Sequence, residues 1–581
     1  MILFPCSLWQ FLASTLTGLM LGFAFLDSRL SIWGWIGLVP LILLLRYKDH
    51  SRNFLAGWLV GFFWFLVACH WLRHVTWIGC FSLCLFEATW LGLWMMLAGL
   101  FPLFWRILVF PSLWVAEEFL RSKGELGFSW NLIGHLSGPL APFAQGWGVF
   151  GISFLMVGFN ALLAWLVACY LLKRRPAAMP EGAGFFLILP LIWLGVGWWE
   201  IQPVPKPSDQ IRTAIVQGNF PQSLKWQVPV QEAVDRYVNE TSRLAFNEPV
   251  DLICWPEVSI PAILSESPSL FEFLAGRVID WRVPLLFGIL DEDSRSRKPF
   301  PLYNSAVLLD PADLNSSQKF TDPRQVSWFL RGEPQKKASG SAILPSAEAS
   351  FPDLGVLGSP SAWRNNLRDV IRVYDKARLL PFGEYVPLGK VLTFIQDFVE
   401  KSGGGAFSSG RAGKVLETRF GPIGPLICFE STHAGLARRA VLNGAVVLAN
   451  LTNDAWFLQS AAAEQHARQC RFRAIETGRA VIRAANTGIS GIYLPNGDLT
   501  SELPPWTVSG AIADAPLFEH LTFAVRVGDF FAWLCLVCLA FSVNLMRAMP
   551  RHMAEASSLL LDGCRGDPDT QNLQFDRLRE E

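Results

Sequence analysis

Long apolar stretches decide most of what this chain can fold into. Runs near residues 8–26, 30–46, 54–72, 79–105, 107–121, 145–172 and 184–199 follow one another with short polar breaks, and an eighth lies near 525–547. A helix needs roughly 20 apolar residues to cross the hydrocarbon core of a bilayer, and the runs near 8–26, 54–72, 145–172 and 525–547 meet that comfortably. Charged residues make up only 17% of the chain and hydrophobic residues 51%, with 25 Trp and 44 Phe, so lipid is the expected solvent for part of it. The first run has no basic n-region and no A-x-A-like site before Asp27, and reads as a helix rather than a removed signal peptide. The run at 107–121 is short and carries Glu117 and Glu118. It reads either as a spanning helix or as a segment that is re-entrant or packed against protein, and the acidic pair either as functional charge within the membrane or as interfacial residues.

Lys and Arg placement gives an orientation. Arg46, Lys48 and Arg52 follow the second run, Lys173, Arg174 and Arg175 the sixth, and Arg547 and Arg551 the eighth. With the N-terminus inside, all three clusters fall on the cytoplasmic side. Seven crossings then place residues 200–522 outside, and the last helix returns the tail to the cytoplasm. The expected organisation is a membrane domain over 1–200, a globular domain over 208–516, a final transmembrane helix over 523–548 and a polar cytoplasmic tail over 549–581. Net charge is zero, which leaves no electrostatic case for a nucleic-acid partner. Oligomeric state leaves no trace in the sequence.

Between 208 and 516 the texture changes. Strands are expected at 211–217, 251–255, 283–290, 305–309, 424–429, 445–451 and 481–485, mostly as unbroken apolar runs, the pattern of strands covered on both faces. Residues 461–477 are helical in pattern, and Pro495-Asn496-Gly497-Asp498 between apolar runs is a hairpin turn. Strands alternating with amphipathic stretches argue for an α/β domain. Residues 311–366, rich in Ser, Pro, Lys and Asp, read as an extended loop.

The 11 Cys suggest neither a disulfide framework nor a metal site. Cys6, Cys69, Cys80, Cys84, Cys169, Cys535 and Cys538 lie in apolar runs and read as small hydrophobes in helix packing. The Cys80/Cys84 and Cys535/Cys538 pairs lack a second pair or a nearby His, and His433 and His466 have no partner spacing for a metal, so both histidines read as structural. There is no G-x-S-x-G for a serine hydrolase, and Gly413-Lys414 lacks Walker spacing.

Three segments of the globular part could carry chemistry. Cys254-Trp255-Pro256-Glu257 puts a carboxylate at the mouth of a strand. Tyr374-Asp375-Lys376 runs on to Pro381-Phe382-Gly383-Glu384. Pro425-Leu426-Ile427-Cys428-Phe429-Glu430 ends an apolar strand in a thiol with an acid close behind. The carboxyl ends of buried strands are where α/β folds bind ligands. There a thiol can act as a nucleophile if an ammonium lowers its pKa and a carboxylate takes its proton. By residue type alone, Cys428 reads equally as an inert core thiol, Glu257 as a loop acid and Lys376 as a surface base.

These segments resemble the nitrilase, or carbon–nitrogen hydrolase, superfamily. With the helices around them, the chain is similar along nearly its whole length to the apolipoprotein N-acyltransferase family. The resemblance rests on Val216-Gln217-Gly218-Asn219, Leu224-Lys225-Trp226, Trp255-Pro256-Glu257, Tyr303-Asn304-Ser305, Pro381-Phe382-Gly383-Glu384, Ile427-Cys428-Phe429-Glu430 and Thr452-Asn453-Asp454-Ala455-Trp456-Phe457, in that order. It implies a nitrilase-like αββα sandwich inserted between helices of an all-α polytopic membrane domain with about eight transmembrane helices. It also implies a multi-pass protein of the bacterial inner membrane with its catalytic domain on the periplasmic side. The triad would be Glu257 as base, Lys376 as oxyanion stabiliser and Cys428 as nucleophile.

By the same resemblance, the sn-1 acyl chain of a phospholipid passes through a Cys428 thioester to the amine of a diacylated lipoprotein, with no cofactor and no metal. The backbone N–H of Phe429 assists the oxyanion, Glu384 positions Lys376 or the leaving group, and Glu430 helps hold the polar site. Trp226, Trp456 and Asn304 are substrate-binding candidates, with aromatic packing the alternative for the tryptophans; Asn453 and Asp454 read as turn residues. Two features depart from the family pattern: Phe429 stands where many members have Tyr, and the 311–366 stretch is longer than usual. A membrane-anchored amidase would use the same triad with water as acceptor, although eight apolar runs are many for an anchor. A transporter with an inactive module is disfavoured by the intact triad and by the expected lack of paired charges deep in the helices.

Overall fold

A computed structural model describes residues 6–45, 49–101, 103–171, 206–293, 300–316, 371–387 and 407–548, with 195, 296, 367 and 368. The expected helix at 184–199, nearly all of the 311–366 stretch and the 549–581 tail lie outside the described residues. The chain forms two compact units. One holds Met1–Val204, Ser460–Gln465 and Thr522–Glu581, the other Pro205–Gln459 and His466–Leu521.

The first unit is helical. Its longer helices are Cys6–Leu26, His50–Ala68, Trp77–Ala98, Leu103–Arg121, Ala144–Leu171 and Phe530–Ala548. Among the described residues, three helical stretches are long and apolar enough to cross a bilayer: His50–Ala68, Trp77–Ala98 and Gly138–Ala168. Their outer faces carry exposed Leu55, Trp77, Ile78, Phe81, Leu85 and Leu166, so they are apolar all round, as helices facing lipid must be. Gly57 and Gly61 let the first two approach backbone to backbone; a Cβ at Gly61 would sit 2.7 Å from Ala88 Cα.

Two boundaries differ from the apolar pattern. The 30–46 run is broken into helices Ile32–Ile36 and Val39–Leu44, with Gly37 capping the first and Pro40 opening the second. The 107–121 segment begins earlier, at Leu103, and is 19 residues long with Pro111 inside it.

Charge placement is a larger correction. Glu117 and Glu118 are buried against protein, one of the readings of this segment, and, contrary to expectation, the helices do contain buried paired charges. Arg121, 1% exposed, lies 3.2 Å from Glu87 and 3.1 Å from Glu117, and donates to the carbonyls of Phe128 and Trp130. Glu118 accepts the Ile133 N–H at 2.7 Å. The helices Trp77–Ala98 and Leu103–Arg121 bring Glu87 to Arg121 across 34 residues of sequence, a pairing that no local pattern reveals. The cluster ties the loop after Arg121 to two helices. Cys69, Cys80, Cys84 and Cys535 are buried as expected, but Cys538 is exposed.

The second unit is built on two sheets. The first has strand order β11-β1-β2-β3-β4-β5 and the second β10-β9-β8-β7-β6. The strands are β1 Asp209–Gln217, β2 Leu252–Cys254, β3 Leu285–Glu292, β4 Leu302–Leu309, β5 Arg372–Asp375, β6 Ile423–Ile427, β7 Val447–Thr452, β8 Val481–Ala485, β9 Gly491–Tyr493, β10 Leu499–Thr500 and β11 Ser509–Leu517. β1, β2 and β3 run parallel, as do β6, β7 and β8, so each pair needs a crossover. Helices Val230–Ala245 and Pro268–Trp281 supply the first two, Ala434–Leu442 and Ala462–Thr477 the others.

Ile215, Leu252, Leu286 and Leu308 of the first sheet share one apolar core with Ile427, Val447, Leu451 and Ile482 of the second. The outer face of the first sheet packs Trp255, Phe287 and Ile289 against Val234, Tyr237, Phe271 and Val278 of its helices. On the second sheet, helix Ala434–Leu442 lies against β6, where Gly424 makes room for Ala440. Helix–sheet–sheet–helix layering is the expected αββα sandwich.

All seven expected strands are present within a few residues, as are the helix and the hairpin turn, where the Leu494 N–H bonds the Asp498 carbonyl at 2.8 Å. β5, β9, β10 and β11 were not expected. β11 pairs antiparallel with β1 from Asp209↔Leu517 to Gln217↔Ser509, but its Ala, Gly and Pro content gives little β signal.

Candidate active site

The layers bring the candidate residues to one end of both sheets. Glu257 follows β2, Lys376 follows β5, Cys428 follows β6 and Asp454 follows β7. Asn304 lies in β4, which runs antiparallel to β5, so its carbonyl accepts the Lys376 N–H at 2.8 Å and the two side chains become neighbours. The Glu257 segment passes tightly over β3, where a Cβ on Gly288 would lie 2.6 Å from Glu257 Cα. Two non-glycine residues there take left-handed backbone, Val258 at φ 43° and Cys428 at φ 51°. Such residues cost about 1–3 kcal/mol each and persist only where their surroundings over-determine them.

Lys376 is 1% exposed. Its Nζ lies 2.7 Å from Glu384 Oε1 and 3.3 Å from Glu257 Oε1. Asn304 Nδ2 donates to the same two oxygens, at 2.8 Å to Glu257 and 3.0 Å to Glu384. A carboxylate can only accept, so the amide nitrogen faces the acids. That leaves Asn304 Oδ1 buried without a partner among the described residues. The other Glu384 oxygen accepts the Leu380 N–H at 2.8 Å.

Burial works against the Glu257 charge, yet Lys376, Asn304 and Lys225 together hold its carboxyl below the usual carboxylate range. Burial likewise opposes the Lys376 ammonium, but Glu384 and Glu257 hold its pKa well above that of an ordinary lysine. The Cys428 thiol lies close enough to Glu257 and Lys376 to feel both charges. Burial, seconded by the Glu257 charge, pushes its pKa up. The resting arrangement is therefore a thiol beside an ionised carboxylate and a fixed ammonium. That arrangement suits general-base attack rather than a standing thiolate.

The expected supporting residues are placed unequally. Glu430 is fully buried and accepts four bonds, from Tyr374 Oη at 2.8 Å and the N–H groups of Ala377, Arg378 and Ile427 at 2.7, 3.0 and 2.7 Å. Burial pushes its carboxyl up to about 7, against the pull of those donors. It stitches the Lys376 segment to the Cys428 segment and presents no free oxygen. The Phe429 ring packs edge-on against His433 with centroids 5.0 Å apart. Its N–H opens a 3-10 turn, where no earlier carbonyl of that turn can accept it. Trp226 and Trp456 are 52% and 45% exposed.

Two features were missed from sequence. Lys225 is buried, and its Nζ donates to the Glu257 carbonyl at 3.2 Å. Burial brings its pKa down to about 8 against the attraction of Glu257 and Cys428. Its place beside Trp226 in a segment that already stood out was the available signal. Asp454 is also more than a turn residue. It is fully buried, 2.8 Å from His466 Nδ1 and 2.7 Å from Arg483 Nη2. Asn453 does cap its turn, accepting the Ala455 N–H at 3.3 Å.

Residues 17–162 match the family model described as the apolipoprotein N-acyltransferase N-terminal domain, and residues 359–517 match that of carbon–nitrogen hydrolase. An apolipoprotein N-acyltransferase from Geobacter metallireducens is 29% identical over 90% of this chain and 93% of its own length. Another, from Azotobacter vinelandii, is 30% identical over 84% and 85%. Among solved structures, a carbon–nitrogen hydrolase from Helicobacter pylori is similar over 55% of this chain and 92% of its own, at 14% identity and a TM-score of 0.34.

Proposed function

Since the chain belongs to the apolipoprotein N-acyltransferase family, we propose that it carries the sn-1 acyl chain of a phospholipid, through a thioester on Cys428, to the N-terminal amine of a diacylglyceryl-cysteine lipoprotein. The observation that carries this reading is the Lys376 ammonium 3.3 Å from the Glu257 carboxylate, with the Cys428 thiol against them, in a chain that also has helices long and apolar enough to cross a bilayer. Glu257 takes the thiol proton as Sγ attacks the ester carbon. The oxyanion forms against Lys376 and the Phe429 N–H. The carbonyl re-forms, and the lysophospholipid alkoxide leaves with the proton from Glu257. In the second half the α-amine attacks the thioester and Glu257 takes its proton. The amide forms, the thiolate leaves, and the proton returns to Cys428.

The open acceptor of Asn304 receives an N–H of the incoming amine. Glu384 keeps Lys376 protonated and pointed at the reacting carbonyl. Exposed Trp226 and Trp456 meet acyl chains at the mouth of the site. Both substrates are anchored in lipid, each buried methylene contributing roughly 0.8 kcal/mol to that anchoring. A multi-pass enzyme of the bacterial inner membrane, with about eight helices and its catalytic domain on the periplasmic side, would meet them in one leaflet. Keeping water from the thioester is then a condition of transfer rather than hydrolysis.

The test uses purified protein with a phospholipid labelled in its sn-1 chain and a diacylated lipopeptide. Label on the peptide's N-terminal amine supports the reading. Ammonia from small amides, with no label transferred, would instead point to a membrane-anchored amidase.

Two further outcomes follow from the electrostatics. Glu384→Gln removes the strongest charge holding the Lys376 ammonium. It is expected to lower kcat by roughly 10–100-fold and to move the alkaline limb of the pH–rate profile downward, because the lysine then loses its proton sooner as pH rises. Lys225→Met removes a charge that helps keep Glu257 ionised. Its acidic limb should move up by about one pH unit, since the base is then protonated sooner as pH falls. The same variant should melt higher at neutral pH. The folded chain holds the Lys225 proton less tightly than the unfolded chain does, so the buried ammonium is a cost below about 8 that fades as pH rises toward the unfolded value.

A further inference from the structure

Cys428 adopts a left-handed backbone, φ 51°, that a residue with a Cβ does not hold unaided. Its own carbonyl is gripped from three sides. His466 Nε2 lies 3.0 Å away, Ser431 Oγ 3.1 Å and Asn450 Nδ2 3.4 Å. Behind His466 stands a buried chain of charge: Nδ1 is 2.8 Å from Asp454 Oδ1, and Asp454 Oδ2 is 2.7 Å from Arg483 Nη2. Arg483 in turn donates to Asn450, so the grip closes on itself. Every side chain in this ring is at most 1% exposed. Three elements supply it: Asp454 follows β7, Arg483 lies in β8 and His466 sits on the helix Ala462–Thr477.

The hydrogen-bond role of Nδ1 follows from what its partner can do. The Asp454 carboxylate only accepts, so Nδ1 carries a proton toward it. On the other side of the ring, Nε2 lies 3.0 Å from both the Cys428 carbonyl and Ser431 Oγ, and Ser431 Oγ itself reaches that carbonyl at 3.1 Å, so the ring holds the Cys428 peptide directly and through the hydroxyl.

We infer that His466, braced by Asp454 and Arg483, is a positioning residue that clamps the peptide carbonyl of Cys428 and so aims the thiol at Glu257. The inference rests on the reading of Cys428 as the nucleophile, but it concerns the geometry of that thiol and not the identity of the acyl acceptor. His466 touches no reacting atom. Its effect passes through the Cys428 peptide, where a misplacement of about 1 Å can cost ~100-fold in rate.

Two substitutions divide the ring's two bonds. The amide nitrogen of Gln reproduces Nε2, and that of Asn reproduces Nδ1. His466→Gln keeps a nitrogen at the Cys428 carbonyl and Ser431 Oγ, whereas His466→Asn keeps only the bond to Asp454. The readouts are kcat and KM for acyl transfer, the rate at which iodoacetamide alkylates Cys428, and the melting transition. The clamp predicts His466→Gln within about fivefold of wild type in both rates. It predicts His466→Asn slower by ~30–100-fold in kcat and in alkylation, with KM unchanged. Equal losses in the two variants, or a greater loss in Gln, would overturn it, since the ring would then serve Asp454 alone. If the Asn variant does not fold, the Gln variant decides: near-wild-type rates sustain the clamp, and a fall beyond 30-fold with a normal melt refutes it. Alkylation is read without any acyl acceptor, so it stands even if the wild-type protein transfers no acyl chain.

Discussion

Cys428→Ser should lower acyl transfer by ~10⁴-fold or more and leave the melting transition unchanged. The substitution alters one atom at a half-buried position on the edge of the core between the sheets, and Ser is close in size to Cys, so packing has little to lose. Chemically it changes everything the base must do. Glu257 is held below the ordinary carboxylate range by Lys376, Asn304 and Lys225, which makes it a weak base. It can assist a thiol, which gives up its proton more readily than an alcohol would in the same buried place. Initial rates with labelled phospholipid, alongside thermal melts in detergent, check both halves. A serine variant with more than a per cent of wild-type activity would mean that deprotonation of this side chain is not part of the slow step.

Lys376→Met should damage activity and fold together. The ammonium lies between two acids, 2.7 Å from Glu384 and 3.3 Å from Glu257, and is 1% exposed. Without it, Asn304 is the remaining bridge between two buried carboxylates, and like charges so placed force one of them to take up a proton. If that one is Glu257, the base is lost as well as the cation facing the oxyanion. A fall in kcat of ~10³-fold or more is expected. Breaking a buried pair by removing one partner also costs about 3–5 kcal/mol of stability.

The pH dependence of that stability loss has a definite sign. Glu257 has a depressed pKa in the fold, so its contribution is present above the unfolded value and lost as pH falls through the folded one. Lys376 has a raised pKa, so its contribution is present below the unfolded value and lost only as pH rises through the folded one. The gap between variant and wild type should be widest between these limits, around neutrality, and should narrow in acid. Melting curves across that range check it.

The catalytic unit was legible in sequence because parallel strands covered on both faces are written as unbroken apolar runs, and chemistry sits at their ends. Glu257 and Cys428 could be placed at strand mouths from β2 and β6 alone. Lys376 could not, because β5 is a four-residue edge strand with charged Arg372 and Asp375 at its ends. It emerged from the family resemblance. Pairings between distant elements were beyond local pattern. Asp454 and His466 are only 12 residues apart, yet nothing in that spacing distinguishes a buried ion pair from a turn acid and a helix histidine. Glu87 and Arg121 were hidden in the same way, since an apolar helix declares its length but not which face meets which neighbour. The split of the 30–46 run was available from Gly37 and Pro40, which the hydropathy of the run outweighed.

The central claim is that Cys428 carries the acyl chain between donor and acceptor. Wild-type protein mixed with a phospholipid labelled in its sn-1 chain, quenched and digested, should give a single peptide heavier by one acyl group. The group should sit on Cys428, be released by hydroxylamine, and be absent from Cys428→Ala. Adding a diacylated lipopeptide should discharge it onto the peptide's N-terminal amine. Label reaching the lipopeptide with no adduct on Cys428, or transfer surviving in Cys428→Ala, would contradict the thioester route.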